Sequence, residues 1–213
     1  MLQIKTFVFN PYQENTYLII DENQDCIIVD PGMHNYIEEK QFSDYIAEHN
    51  LKPIYLINTH GHIDHVLGNK YVADTYGLTP QFHEGELPLV IQVQNYAPQM
   101  GIRYEPSPIP ETFLTENDTI TMGEETIRLI LAPGHSPAHL CLYSESNNFL
   151  IGGDVLFKGS IGRTDLPGGN HQQLLNSIAT NIYTLPEDTV VYPGHGPTTT
   201  IKEEKQSNPF IRG

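Results

Sequence analysis

Short apolar runs alternate with polar breaks along the chain, and the period of the runs changes from segment to segment. Residues 3–9, 15–20 and 26–30 are apolar and β-branched, with Asn, Asp and Gly between them, and read as three strands. Over residues 36–49 the apolar positions Ile37, Tyr45 and Ile46, with His49, fall near helical spacing and predict a helix. Residues 53–57 return to a strand, and residues 66–76 predict a helix stopped by Gly77. Residues 118–121, 126–132, 139–143 and 148–152 predict a run of antiparallel strands. Residues 171–183 predict a helix with Leu174, Leu175, Ile178 and Ile182 on one face, and residues 189–192 a last strand. Periodicity alone specifies a mixed α and β chain. Meander strands with helices between them suit two sheets packed face to face, helices outside.

The breaks after four of these runs carry chemistry. Two residues separate Ile54–Ile57 from His60-Gly61-His62-Ile63-Asp64-His65, in which four of six positions can bind a transition metal. A polar turn facing water accounts for one stray histidine, but poorly for three histidines and an aspartate together. Later runs end in Ala132-Pro133-Gly134-His135-Ser136-Pro137, in Ile151-Gly152-Gly153-Asp154 and in Tyr192-Pro193-Gly194-His195-Gly196. Each places one ligand type beside glycine, which allows the close approaches of a crowded site. The set is His60, His62, Asp64, His65, His135, Asp154 and His195. Seven groups are too many for one tetrahedral ion and suit two ions about 3.5–4 Å apart. One carboxylate can bridge such a pair. Two cations lower the pKa of a shared water, so hydroxide exists near neutral pH and no serine or cysteine nucleophile is needed.

Composition narrows the partners. The net charge of −15 argues against a nucleic-acid backbone and against anionic membrane surfaces as partners. No apolar run approaches the ~20 residues of a membrane span, and the N-terminus lacks the apolar core of a signal peptide, so a cytoplasmic location is expected. Cys26 and Cys141 sit in apolar runs and read as buried free thiols of a reducing compartment. No linker or composition shift divides the chain, and the ligands span residues 60 to 195, which favours one domain over residues 1–213. Residues 83–114 stand apart, with five prolines and an apolar patch around Leu87–Val93 followed by Tyr96 and Met100. This segment reads either as a lid or pocket wall over the metals or as an excursion with its own small apolar cluster.

The run Thr59–His65, with Gly134-His135-Ser136, Gly153-Asp154 and Gly194-His195, resembles the metallo-β-lactamase-fold hydrolases. Gly162-Arg163-Thr164-Asp165-Leu166-Pro167-Gly168-Gly169 and the opening Phe9–Tyr17 are similar to one branch of it, the small single-domain type II glyoxalase-like (hydroxyacylglutathione hydrolase-like) hydrolases. The resemblance implies an α+β, four-layer αββα sandwich with the metal site at one edge of its two sheets. It implies two divalent metal ions, zinc foremost, with iron or manganese as alternatives. His60, His62 and His135 would bind the first, Asp64, His65 and His195 the second, and Asp154 would bridge. Asp30 would support the ligand loop from outside the ligand set, although starting the Pro31-Gly32 turn explains it equally well. His139 would hydrogen-bond rather than ligate.

The implied reaction is hydrolysis of a small-molecule thioester such as an S-2-hydroxyacylglutathione, with hydroxide attacking and a thiolate leaving. Asp64 and Asp154 are the catalytic candidates, and Asp64 or a bound water could carry protons. Arg163 falls where a basic residue of this family meets glutathione; an ion pair with Asp165 is the competing role. The chain is expected to lack the C-terminal helical domain of the larger family members, and Gly196-Pro197 stands where they carry a tyrosine. Two other readings fit parts of the pattern. One is a mononuclear iron oxidoreductase of the persulfide dioxygenase type, with His60, His62 and Asp154 or His135 as ligands. The other is a non-catalytic protein whose metals only stabilise the fold. Nucleases of the same superfamily are disfavoured by the acidity of the chain.

Overall fold

The computed structural model describes residues 1–213 and lays down one sheet, then the other. β1 (Gln3–Phe9), β2 (Glu14–Ile20) and β3 (Asp25–Val29) form an antiparallel meander. Next, α1 (Tyr36–Glu48) crosses to β4 (Lys52–Ile57), which lies parallel to β3. The short helices α2 (Ile63–Val66) and α3 (Asn69–Tyr76) lead to β5 (Pro80–Gln81), the edge of this five-stranded sheet. After α4 (Leu87–Tyr96) come four antiparallel strands, β6 (Thr119–Met122), β7 (Glu125–Leu131), β8 (Leu140–Ser144) and β9 (Phe149–Gly153). A separate hairpin of β10 (Leu156–Phe157) and β11 (Ser160–Ile161) follows. Then α5 (His171–Ser177) runs into a π-helical turn and crosses to β12 (Val190–Pro193), parallel to β9. Finally, β13 (Thr199–Thr200) leads into α6 (Ile201–Ser207) and completes a six-stranded sheet of order β13-β12-β9-β8-β7-β6.

The strands are apolar on both faces because both faces are covered. In β2, Tyr17 and Ile19 join the central cluster with Ile127, Leu129, Leu140 and Leu142 of the other sheet. Their neighbours Leu18 and Ile20 pack outward with Phe42 and Ile46 of α1. β8 does the same in mirror: Leu140 and Leu142 face inward, while Cys141 and Tyr143 meet Leu174, Ile178 and Ile182 of the α5 segment. The result is an α+β sandwich in four layers: helix, sheet, sheet, helix. A fully buried Ile or Leu contributes about 1.5–3 kcal/mol. The Asn35 side chain caps α1 by accepting from the backbone N–H groups of Ile37 and Glu38. No helix is long and apolar enough to cross a membrane.

Two elements differ from expectation. The helix predicted over residues 66–76 begins earlier and breaks between α2 and α3. Gly68 lies at the break; its N–H donates to the Pro31 carbonyl at 2.7 Å, and a Cβ there would approach that oxygen to 2.8 Å. The approaching 30–33 loop therefore sets the break, while Gly77 ends α3 at φ 70° as expected. The proline-rich segment 83–114 contains a ten-residue helix, α4, with Pro88 in its first turn, where a missing N–H does no harm. Val90, Val93 and Ala97 form a cluster there with Ile63, Val66 and Phe82. The segment thus shares an apolar cluster with α2, the helix that carries Asp64 and His65.

Candidate metal centre

β3, β4, β7, β9 and β12 all end at the same edge of the sandwich. Their carboxyl ends lead into Asp30, the 60–65 loop, the 133–139 loop, Asp154 and His195 in turn. The edge is stitched across the two sheets: Leu140 N–H donates to Thr59 O at 2.9 Å, Asn15 N–H to Gly194 O at 2.7 Å, and the Tyr17 hydroxyl to Pro193 O at 2.7 Å. Seven side chains separated by up to 135 residues in sequence are thereby held together, and all seven predicted ligands lie in this one cluster.

They form two groups joined by Asp154. His60, His62 and His135 offer three nitrogens within 4.8 Å of one another, and so do Asp64, His65 and His195 with a carboxylate oxygen and two nitrogens. His62 Nδ1 lies 2.9 Å from His135 Nε2, which is 3.3 Å from His60 Nε2. Between the groups, Asp154 Oδ1 is 3.5 Å from His65 Nε2, while Oδ2 is 3.4 Å from His135 Nε2 and 3.6 Å from His195 Nε2. Asp64 Oδ2 sits 3.1 Å from His195 Nε2. A Cβ at Gly194 would collide with Asp154 Oδ1, so only glycine fits that turn.

The outward nitrogens decide which inward ones carry lone pairs. His135 Nδ1 donates to Arg163 O at 2.7 Å, and His195 Nδ1 to Tyr12 O at 3.1 Å. His65 Nδ1 donates to Asp30 Oδ2 at 3.1 Å. Thr59 donates its hydroxyl to Asp30 Oδ2 at 2.6 Å, leaving its oxygen to accept from His60 Nδ1 at 3.0 Å. In the neutral imidazoles of His60, His65, His135 and His195 the inward Nε2 is therefore a lone pair aimed at other lone pairs. His65 Nε2 and Asp154 Oδ1 are buried without any hydrogen-bond partner. Inward lone pairs and facing carboxylates are what a pair of cations requires, and imidazole with carboxylate is a donor set for Zn, Fe or Mn. The residues present fit two divalent ions.

Electrostatics agree. Burial holds His60 far below the usual imidazole range and His62 at about 3, with neighbouring histidines adding to it, so both are neutral. Burial also opposes charge on His65, but Asp64 and Asp154 outweigh it and raise its pKa well above the usual value. For Asp64 and Asp154 burial favours the neutral acid, yet His65 and the other facing imidazoles win and both pKa values are lowered. The second group thus attracts positive charge strongly.

Four further residues organise the ligands. Asp30 accepts from the backbone N–H of Thr59 at 2.7 Å as well as from the Thr59 hydroxyl and His65, at φ 48°, a left-handed backbone rare outside glycine. It therefore holds the ligand loop, while no hydrogen-bonded turn forms at Pro31-Gly32, whose carbonyl at Pro31 instead accepts from Gly68 N–H. His139 does not point into the ligand set; its Nε2 accepts from Asp154 N–H at 3.1 Å. Glu86 and Glu14 have no counterpart in the motif reading. Glu86, fully buried, accepts from Gly61 N–H at 2.9 Å, Ala138 N–H at 2.7 Å and the Ser136 hydroxyl at 2.8 Å, tying both histidine loops to the segment before α4. Glu14, also fully buried, accepts from the Thr16 hydroxyl at 2.9 Å beneath Asp30 and His65, and burial raises its pKa well above the usual value. Two acids among 26 carry no sequence signal of this kind.

A cavity of about 680 Å³ opens beside the two groups. Leu89, Gln92, Tyr96 and Met100 supply one wall, and the 157–167 segment another. Arg163 lines it too, with the Nε–Nη2 edge of its guanidinium engaged: Nε lies 2.8 Å from Asp165 Oδ1 and Nη2 2.8 Å from Asp165 Oδ2.

Residues 9–195 match the model of the metallo-beta-lactamase superfamily. The hydroxyacylglutathione hydrolase GloC of Haemophilus influenzae is 31% identical over 212 residues, covering 99% of this chain and 98% of its own. Among solved structures, the BLEG-1 B3 metallo-beta-lactamase superposes with a TM-score of 0.88 at 33% identity, covering 99% of this chain and 100% of its own. TTHA1623, solved in a di-iron-bound form, superposes with a TM-score of 0.86 at 31% identity, covering 97% of this chain and 100% of its own.

Proposed function

This chain belongs to the metallo-beta-lactamase superfamily, and on that premise we propose that it is a binuclear metal-dependent hydrolase that cleaves a thioester such as an S-2-hydroxyacylglutathione. The observation that carries the reading is the pair of three-ligand groups with Asp154 between them. His60, His62 and His135 would hold one ion, Asp64, His65 and His195 the other, with Asp154 shared. When bound, two divalent cations supply hydroxide near neutral pH and a Lewis acid for the acyl oxygen. We assign zinc first; the di-iron form of TTHA1623 makes iron the alternative.

The chain's own groups do the rest. Thr59, Asp30, the Arg163 carbonyl and the Tyr12 carbonyl fix the ring orientations, so the inward nitrogens need no rearrangement during the reaction. Asp64, at the cavity surface, is the carboxylate placed to move a proton between solvent and the reacting centre. The apolar wall of Leu89, Tyr96 and Met100 excludes water from the acyl carbon. In the balanced reaction, water adds to the acyl carbon, the C–S bond breaks with its electron pair on sulfur, and a carboxylic acid and a thiol result. A thiolate leaves readily, which suits a site with no strong acid poised over the leaving group. The GloC relative supports the thioester class, and two buried free thiols suit a reducing, cytoplasmic setting.

Elemental analysis and S-lactoylglutathione hydrolysis on the same purified sample test this. The expected result is about two metals per chain and cleavage that disappears on chelation. One iron per chain, no thioester cleavage and oxygen uptake with a persulfide would replace it by the mononuclear oxygenase. Cleavage of a β-lactam in place of the thioester would keep the hydrolase and overturn the substrate class.

A further inference from the structure

We propose that the cavity selects thioesters whose thiol part is apolar and uncharged, and that Asp165 enforces this by occupying the Arg163 guanidinium. The inference rests on the thioester reading above and adds which half of the substrate the site discriminates. The space beside the ligands is faced by Ile63, Leu89, Tyr96 and Met100 on one side and by Phe157 and Leu166 on the other. Apart from the ligand imidazoles, Arg163 is the one cationic side chain that lines it. Its Nε–Nη2 edge meets the Asp165 carboxylate with both contacts at 2.8 Å, so a substrate carboxylate would compete with Asp165 for that edge and for the charge of the group. Paired in this way, Arg163 offers little net positive charge. The chain as a whole carries −15, so a thiol bearing carboxylates meets an unfavourable field on approach, and the walls away from the metal ligands offer its carboxylates no unpaired cation. An apolar thiol instead removes its own surface and that of the six walls from water. The Arg163 backbone is anchored by the ligand His135, so the Arg163–Asp165 pair keeps a set position relative to the metal centre.

Steady-state kinetics on the metal-loaded protein with two substrates decide the matter: the lactoyl thioesters of benzyl mercaptan and of glutathione, which share the acyl group and have thiols of similar acidity. The expected kcat/KM is at least about tenfold higher for the benzyl thioester, mostly through KM, because several apolar groups become buried. In Asp165→Asn the ratio should narrow about fivefold in favour of glutathione, the size of effect an exposed ion pair supports. Asp165 is solvent-exposed, and a matching thermal unfolding curve establishes that the variant is folded. Equal or better turnover of the glutathione thioester by the wild-type protein overturns the inference and leaves the thioesterase intact. An unchanged ratio in Asp165→Asn removes Asp165 as its cause. If neither thioester is cleaved with two metals bound, the thioester reading fails and the inference with it.

Discussion

Asp30 commits both carboxylate oxygens to other groups: one to the Thr59 backbone, the other to the Thr59 hydroxyl and His65. Replacing it with Asn keeps the size but puts a donor where two donors already point. Asp30→Asn should weaken metal binding about 10- to 100-fold, measured by competition with a chromophoric chelator; unaltered affinity would mean the loop holds its own shape. Glu86 is a different kind of support, bonded to backbone on both ligand loops. Glu86→Ala strands two buried N–H groups and a hydroxyl and should destabilise the metal-free protein by about 2–4 kcal/mol, read from urea unfolding. At this scale the sequence is legible only where residues cluster. The ligands and Asp30 lie in runs with glycine or proline and advertise themselves; Glu86 and Glu14 are single acids whose importance comes entirely from what folds around them.

Strands and crossovers were readable because the sandwich buries both faces of each sheet, which makes the strands plain apolar runs. The elements that escaped are short or carry misleading residues. β10 and β11 have two residues each, too few for any period, and α4 hides behind Pro88 in a proline-rich stretch. The break between α2 and α3 is set by the distant 30–33 loop through Gly68, a contact that no local pattern encodes. α4 and the turn after it place Tyr96 and Met100 on the cavity wall. Tyr96→Ala with Met100→Ala should raise KM for a thioester about three- to tenfold through lost apolar contact, with metal content unchanged. Identical kinetics would leave this segment as scaffold and nothing more.

For the whole molecule, the edge location of the centre follows from topology: five strands run the same way and deliver their loops to one rim. The ligand motifs could be read in order along the chain, but their convergence depends on two sheets docking with Asn15, Tyr17 and Leu140 bonded across the rim. Bound cations would in turn neutralise Asp64 and Asp154, which otherwise face each other through His65 and His195. Chelation should therefore lower the thermal unfolding midpoint by about 5–15 °C, measured by scanning calorimetry and reversed by added zinc; a midpoint insensitive to chelator would show that the ions contribute nothing to the fold. The spread of the ligands from residue 60 to residue 195 also has a consequence during synthesis. The first histidine group is complete once His135 has left the ribosome, whereas the second waits for β12 and His195. A nascent chain can thus offer one coordination group well before the second, and the pair comes into being only after His195 has emerged.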